Sequence, residues 1–220
     1  MGQMIEFTRP DGKKAPGYLA LPERAQEAPG IVVIEEWWGV NDQLKGIADA
    51  YAAVGYRALV PDLYRGRVAA TGDEANHLMQ GLDFTDATTQ DIRGAVQFLK
   101  AQGGKVGVTG YCMGGALALA SAMHVPEADA AVVFYGFPPA ETGDPATIKI
   151  PLIGHWALHD EFFNAEGVKQ IEERLKAGRV SYEFFWYDAS HAFCNPGGLG
   201  NYKDAEAKLA WQRSLDFWKR

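Results

Sequence analysis

The segment Gly110-Tyr-Cys-Met-Gly-Gly115 constrains the fold of this chain more than any other feature. It follows a short apolar run (105–109) and precedes a helical run of small residues (116–123). Glycines two positions before and two positions after Cys112 suit a sharp strand-to-helix turn, where larger side chains would collide. The free N–H groups of the following helix favour a thiolate at Cys112. This pattern predicts a cysteine nucleophile and therefore a hydrolase.

Two other interpretations of this segment stay open. A free cysteine is commonly a buried core residue, so the chain could be a non-catalytic α/β binding domain in which Cys112 is inert or senses oxidants. Residues 109–115 also imitate the glycine-rich phosphate loop of an NAD(P)-binding reductase. Against the reductase, the loop lies halfway along the chain, and no Tyr is followed four residues later by Lys.

Composition and charge narrow the class of protein. The 220 residues are 47% hydrophobic and 22% charged, which is typical of a globular protein, and we expect one domain over residues 1–220. The formal net charge of −7, without a cluster of Lys and Arg, argues against nucleic-acid binding. No apolar run approaches the ~18–20 residues of a membrane span, the N-terminus has no signal pattern, and two cysteines make a poor disulfide framework. We therefore expect a cytoplasmic protein that binds neither nucleic acid nor a membrane.

The order of apolar runs and helical-period segments predicts an α/β fold, with a mainly parallel central sheet flanked by helices. An antiparallel pair (5–8 and 17–21) comes first. Later strands are predicted at 30–34, 58–60, 106–108, 130–135, 152–157 and 182–187. Helices are predicted from the cap Asn41 to about Val54, from Thr85 or Asp86 onward, and over 116–123, 166–177 and 204–218. Residues 65–84 lack a clear period, so they are predicted to form a lid or an irregular insertion.

His191 and Asp160 are the predicted partners of Cys112. When the nucleophile occupies such a turn, the acid and then the histidine follow it along the chain. Of the five histidines, only His191 follows a late strand and lies in a short polar loop. Asp160 follows the strand 152–157 and is the predicted acid, although it could instead cap the next helix. Asp188 is the second candidate for the acid.

The other histidines do not predict a metal site. His155 falls inside an apolar strand, where a core histidine is expected. His159 is four residues further on, but on a strand that spacing does not bring two side chains together. The chain contains no C-x-x-C or H-E-x-x-H motif, so no metal is predicted.

Several segments match one known family. They are Glu35-Glu-Trp-Trp-Gly-Val-Asn41, Pro61-Asp-Leu-Tyr64, the glycine-rich segment 110–115, Asp160 and Ser190-His-Ala-Phe193. With these segments the chain resembles the dienelactone hydrolase family, a branch of the α/β-hydrolases, over essentially its whole length. The resemblance implies an α/β-hydrolase fold without a cofactor.

The same resemblance implies roles for individual residues. Cys112 is the implied nucleophile, and Asp160 and His191 are its acid and base. Glu36 is implied to contact the resting thiol, and the backbone N–H groups of Trp37 and Met113 are implied to form the oxyanion hole. Since successive strand residues point to opposite faces, only one of the adjacent acids at 35 and 36 is expected to reach the site.

The chain departs from the family at the arginines that hold the carboxylate of dienelactone. Residues 68–92 and 192–202 contain no Lys or Arg, and Arg65 and Arg67 do not match the expected positions. Because charge-assisted pairing selects an anionic substrate, we expect a hydrolase of neutral esters or lactones, with activated phosphotriesters as a side activity. The alternative is a true dienelactone hydrolase (carboxymethylenebutenolidase) of aromatic degradation.

Aromatic residues near the predicted strand ends supply the expected walls of a substrate pocket. These are Trp37, Trp38, Tyr64, Trp156 and Phe193. The expected partner is a small ester or lactone, and the chain is expected to be a monomer or a homodimer.

Overall fold

An eight-stranded sheet organises residues 2–220, the part of the chain that this computed structural model describes. The strands are β1 Gln3–Thr8, β2 Lys14–Ala20, β3 Gly30–Ile34, β4 Arg57–Pro61, β5 Val106–Tyr111, β6 Ala130–Phe134, β7 Leu152–His159 and β8 Tyr182–Ser190. They lie side by side in the order β1-β2-β4-β3-β5-β6-β7-β8. The pairs β1–β2 and β2–β4 are antiparallel, and each of the other neighbouring pairs is parallel. The predicted mainly parallel sheet is confirmed.

Helices cover both faces of this sheet. They are α1 Asp42–Ala53, α2 Gly72–Gln80, α3 Phe84–Asp86, α4 Arg93–Lys100, α5 Met113–His124, α6 Ala165–Ala177 and α7 Asp204–Trp218. A π-helical segment, Ala87–Ile92, joins α3 to α4. The Asn41 side chain caps α1 by accepting the amide of Leu44, as its position in the sequence predicts.

Two apolar clusters, one on each side of the sheet, form the core. On one face the sheet packs against α4, α5 and α6 through residues such as Val96, Leu117 and Leu175. On the other face it packs against α1 and α7, where Tyr51 and Phe217 are buried. Because both faces are covered, the central strands consist of continuous apolar runs, and the polar side chains lie at the strand ends.

The structure corrects the prediction for residues 65–84. Instead of an irregular insertion, this segment contains the regular helix α2, which starts after Thr71. The Thr71 hydroxyl accepts the amide of Glu74 at 3.2 Å. Only Ala75 and Leu78 of α2 are buried, so the helix has too few apolar residues to produce a visible period in the sequence.

Candidate active site

Cys112 occupies a strained turn between β5 and α5. Its φ and ψ are 56° and −116°, a region that L-residues rarely adopt. The packing around the turn leaves no room for side chains at the neighbouring glycines. A Cβ on Gly110 would collide with the carbonyl oxygen of Gly114, and one on Gly114 would collide with that of Ile34. The predicted strand–turn–helix arrangement around Cys112 is therefore present.

Three side chains at the carboxyl ends of β5, β7 and β8 form one hydrogen-bonded line. His191 Nε2 lies 3.1 Å from Cys112 Sγ, and His191 Nδ1 lies 2.8 Å from Asp160 Oδ2. The other carboxylate oxygen of Asp160 accepts the amides of Phe162 at 2.8 Å and Phe163 at 2.9 Å. Asp160 thereby favours the tautomer of His191 with its proton on Nδ1, which leaves Nε2 free to accept a proton from the thiol.

Neither of the two alternatives to Asp160 as the acid is present: Asp188 does not pair with His191, and Asp160 does not cap α6. Asp188, the second candidate for the acid, is exposed and pairs with His159 at 2.7 Å. The cap of α6 is Asn164, whose side chain accepts the amide of Gly167. Asp160 is buried and faces His191 instead.

His155 is the core histidine that the sequence predicts. It is fully buried in β7, and its ring nitrogens lie 2.8 Å from Tyr187 Oη and 3.0 Å from Ser214 Oγ. Burial, together with the positive charge of Arg213, lowers the pKa of His155 to about 3. It is neutral at physiological pH and separate from the hydrogen-bonded line of Cys112.

The surroundings of Cys112 favour the thiol over the thiolate. Burial and the negative charge of Glu36 raise the pKa of this thiol, while the amide of Met113 acts in the opposite direction. The helix does favour the thiolate, but desolvation outweighs that effect.

Glu36 lies beside the line formed by Cys112, His191 and Asp160, without a hydrogen bond to the sulfur. Its Oε2 accepts a hydrogen bond from Asn195 Nδ2, and its buried Oε1 has no hydrogen-bond partner within residues 2–220. The family resemblance implies a contact between Glu36 and the resting thiol, but the two groups share no hydrogen bond, and Cys112 Sγ pairs with His191. Burial raises the pKa of Glu36 to about 7, against the opposing effects of Asn195 and His191.

Glu35 points to the other side of β3, as the alternation of strand residues predicts. It is fully buried, and neither of its carboxylate oxygens has a hydrogen-bond partner in the described part of the chain. Burial and the nearby charge of Asp62 raise its pKa well above the ordinary value. Glu36, but not Glu35, lines the cavity described next.

A cavity of about 330 Å³ opens onto Cys112 and His191. Its apolar walls come from the loop after β3, from α2, from the start of α5, and from the loops after β7 and β8. They are Trp37, Trp38, Met79, Met113, Phe162, Phe163, Ala192 and Leu199. Asn76 and Glu36 add polar atoms, and within residues 2–220 no Lys or Arg lines the cavity.

Three of the aromatic residues predicted as pocket walls do not reach this cavity. Tyr64 is buried, with its hydroxyl 3.4 Å from Met113 Sδ. Trp156 is in the core, packed against Phe184, and Phe193 is fully buried. Their apolar rings are suited equally to a core and to a pocket, so composition alone did not separate the two.

The sequence analysis missed the residues that do line the cavity from α2 and from the two late loops. Phe162 and Phe163 place their ring centroids 5.0 Å and 5.6 Å from that of His191. Their position two and three residues after Asp160 was the one available signal. No sequence signal pointed to Asn195, which is four residues after His191.

The two amides implied for an oxyanion hole belong to residues that line the same cavity, Trp37 and Met113. Neither amide donates to a backbone oxygen within residues 2–220.

Arg65 does not substitute for a substrate-binding arginine. Its guanidinium bonds to both carboxylate oxygens of Asp91, at 2.8 Å and 2.9 Å, and to the carbonyl of Asp62 at 2.8 Å. Neither Arg65 nor Arg67 lines the cavity. The positive charge of Arg65 is thus held in an ion pair with Asp91.

Comparison with known proteins places this geometry in a family. The sequence model of the dienelactone hydrolase family matches residues 15–220. The chain belongs to the dienelactone hydrolase family. A relative from Aquifex aeolicus, named as a candidate carboxymethylenebutenolidase, is 34% identical, with 100% of this chain and 98% of that protein covered. The protein usf of Aquifex pyrophilus is 36% identical over the same shares of the two chains.

Solved structures give the same fold. A candidate dienelactone hydrolase from Klebsiella pneumoniae has a TM-score of 0.87 at 24% identity, covering 100% of this chain and 99% of that one. A dienelactone hydrolase-like promiscuous phosphotriesterase from metagenomic libraries has a TM-score of 0.85 at 23% identity, covering 99% and 98%. As a dienelactone hydrolase family member, this chain is an α/β-hydrolase that acts on ester or lactone bonds of small molecules.

Two kinds of structural feature are absent from residues 2–220 of this dienelactone hydrolase family member. No helix there has both the length and the apolar character needed to cross a membrane. No group of three or more His, Cys, Asp and Glu side chains in those residues gathers in the manner of a metal site.

Proposed function

We propose that this protein hydrolyses neutral carboxylic esters or lactones through a covalent thioester on Cys112, without a cofactor. The observation that carries the proposal is the hydrogen-bonded line from Asp160 through His191 to Cys112, which opens on an apolar cavity. A nucleophile, a base in contact with it and an acid that orients the base are the parts that covalent acyl transfer requires.

The first step is attack on the carbonyl carbon. Because burial raises the pKa of the Cys112 thiol, His191 Nε2 removes the thiol proton as the sulfur attacks, and no thiolate–imidazolium pair forms beforehand. The negative charge moves to the carbonyl oxygen, where the amides of Trp37 and Met113 donate to it. Asp160 stabilises the imidazolium that His191 becomes.

The second half of the reaction reverses the proton movements. The imidazolium of His191 donates its proton to the leaving alcohol oxygen as the carbon–oxygen bond breaks, leaving a thioester on Cys112. His191 then takes a proton from water as the water attacks the thioester carbonyl. It returns that proton to Cys112 Sγ as the carbon–sulfur bond breaks, which releases the acid and the free thiol. The net reaction consumes one water for each ester or lactone.

The cavity supports a preference for uncharged substrates. Its walls are mostly aromatic or aliphatic, and the charged side chain it contains besides the triad is the carboxyl of Glu36. A substrate carboxylate would lose its hydration without gaining a cation. A true dienelactone hydrolase, the alternative, needs such a cation, and Arg65 is paired with Asp91 instead.

Neutral aryl phosphotriesters are a second substrate class for the same site. Their phosphoryl oxygen resembles a carbonyl oxygen in charge and can accept the same two amides, and their aryl groups suit the apolar walls. The metagenomic phosphotriesterase with this fold makes the class worth assaying. It is a side activity, because the phosphorylated thiol must still be hydrolysed.

One comparison of variants tests the nucleophile. Cys112→Ala should abolish turnover of p-nitrophenyl butyrate with an unchanged far-UV circular dichroism spectrum. Cys194→Ala is the matched control, because it removes the other cysteine of the chain and should retain activity. Undiminished hydrolysis by Cys112→Ala would exclude the thioester mechanism.

A further inference from the structure

Asn195 is held in one orientation beside the triad. It lies in the loop between β8 and α7 and is 2% exposed. Its Oδ1 accepts the amide of Gly197 at 2.9 Å, and its Nδ2 donates to Glu36 Oε2. Because a backbone N–H can only donate, the oxygen of the Asn195 side chain must face Gly197 and its nitrogen must face Glu36.

The side-chain amide of Asn195 holds the carboxyl group of Glu36 in place. Within residues 2–220 Asn195 is its hydrogen-bond partner, and its other oxygen is buried without one. A buried carboxylate with a single hydrogen bond weakens the folded state. Stability therefore does not account for a carboxyl group here, whereas the chemistry of the neighbouring thiol and imidazole does.

A negative charge on Glu36 acts differently on the two reacting groups. It raises the pKa of the Cys112 thiol, which disfavours a resting thiolate. It also attracts the positive charge of His191. During attack the sulfur loses its negative charge to the substrate oxygen, which the two amides stabilise, whereas His191 stays positive. The same carboxylate therefore opposes the free thiolate and favours the state formed with substrate.

We infer that Asn195 is a positioning residue that holds the Glu36 carboxylate beside the Cys112–His191 pair, in the charged form that favours the imidazolium formed when a carbonyl carbon is attacked. This inference rests on the proposed function of Cys112. Without the Asn195 amide, burial favours the protonated form of Glu36. The thiol would then ionise more readily, and the imidazolium would lose a stabilising charge.

The other titratable groups near Glu36 do not change charge around neutral pH. Besides Cys112 and His191 they are Cys194, Tyr111 and Tyr135. Burial raises the pKa of each of these three well above its ordinary value, so they remain uncharged. Asp160 acts on Cys112 in the same direction as Glu36, and it is untouched by a change at Asn195.

The test measures two rates on Asn195→Ala at pH 7.5. One is the rate at which iodoacetamide alkylates Cys112, followed by peptide mass, and the other is kcat/KM for p-nitrophenyl butyrate. We expect alkylation to become at least threefold faster and kcat/KM to fall at least tenfold. Glu36→Gln should change both rates in the same directions as Asn195→Ala. In the double variant Glu36→Gln/Asn195→Ala, the alkylation rate should differ less than twofold from that of Glu36→Gln alone.

Asn201→Ala is the matched control. It removes another amide of the same loop, one that donates to the carbonyl of His191 at 3.0 Å and not to Glu36. We expect its two rates to stay unchanged or to fall together. If Asn195→Ala does not fold, Asn195→Leu keeps a similar volume without the amide and should behave as described for Asn195→Ala.

Two results separate failure of this inference from failure of the proposed function. If the wild type is an esterase but both rates fall together in the Asn195 variant, Asn195 has only a structural role and the inference is wrong. If Cys112→Ala keeps the esterase activity of the wild type, the proposed function is wrong, and the inference that rests on it fails as well.

Discussion

Asp160 and His191, 31 residues apart in the chain, are joined by a buried contact of 2.8 Å between Oδ2 and Nδ1. The second oxygen of Asp160 is held by two backbone amides of the following turn. The carboxylate therefore cannot rotate without losing hydrogen bonds, and its free oxygen stays directed at the imidazole. The loop after β7 thus orients the ring that contacts Cys112.

Asp160→Asn should lower kcat for ester hydrolysis by about 10²–10⁴. The amide oxygen of Asn would keep the two backbone donors, so its NH₂ group would face His191 Nδ1. That nitrogen would then have to accept, which moves the ring proton to Nε2 and prevents proton removal from the thiol. Steady-state kinetics with p-nitrophenyl butyrate measure the effect. Asp188→Asn, which alters an exposed pair with His159, is the control, and an equal loss in that variant would contradict the assignment.

Asn76→Arg should increase the use of carboxylate-bearing substrates. Asn76 lies on the exposed side of α2 and lines the cavity, so an arginine there would add a cation without burying it. We expect kcat/KM for a hemisuccinate ester, divided by that for a matched neutral ester, to rise about tenfold. Gln80→Arg, on the same helix but outside the cavity lining, adds the same charge. A similar rise in that variant would indicate long-range attraction rather than a contact in the pocket.

Glu35→Gln should make stability less dependent on pH. Glu35 keeps its proton in the folded state at pH values where the unfolded chain has released it, because its folded pKa is raised well above 4.5. Stability from this group is therefore present below about pH 4.5 and is lost as the pH rises toward the folded pKa. The gain in Tm from Glu35→Gln should be larger at pH 9 than at pH 5, as measured by thermal unfolding. The exposed Glu6→Gln should show no such difference, and a gain independent of pH at position 35 would refute the explanation.

Gly110→Ala should destabilise the protein by about 3 kcal/mol or more. The added Cβ would meet the backbone carbonyl of Gly114, which cannot move without opening the turn that holds Cys112. Gly46→Ala in α1 is the control. Its Cβ would meet no atom within 4 Å, and alanine favours the helix by about 0.5–1 kcal/mol. Urea unfolding gives both values, and equal stability of the two variants would contradict the close packing of the turn.

Much of the architecture could be predicted because its signals are local. The cap at Asn41, the glycines around Cys112 and the bounds of α7 (Asp204–Trp218) follow from backbone chemistry within a few residues. The late position of His191 could be predicted from the order of strands. In contrast, α2 was missed, because a helix that buries only Ala75 and Leu78 leaves a weak apolar period.

By itself, the sequence determined the mainly parallel sheet, the turn that holds Cys112, and the family to which the chain belongs. Only the tertiary structure decided that Tyr64, Trp156 and Phe193 lie in the core rather than the pocket, and that Glu36 pairs with Asn195 across 159 residues of chain. The physical reason is that the spacing of residues predicts to which face of a strand a side chain points. Its burial, its hydrogen-bond partners and its pKa depend instead on what packs against that face from elsewhere in the chain.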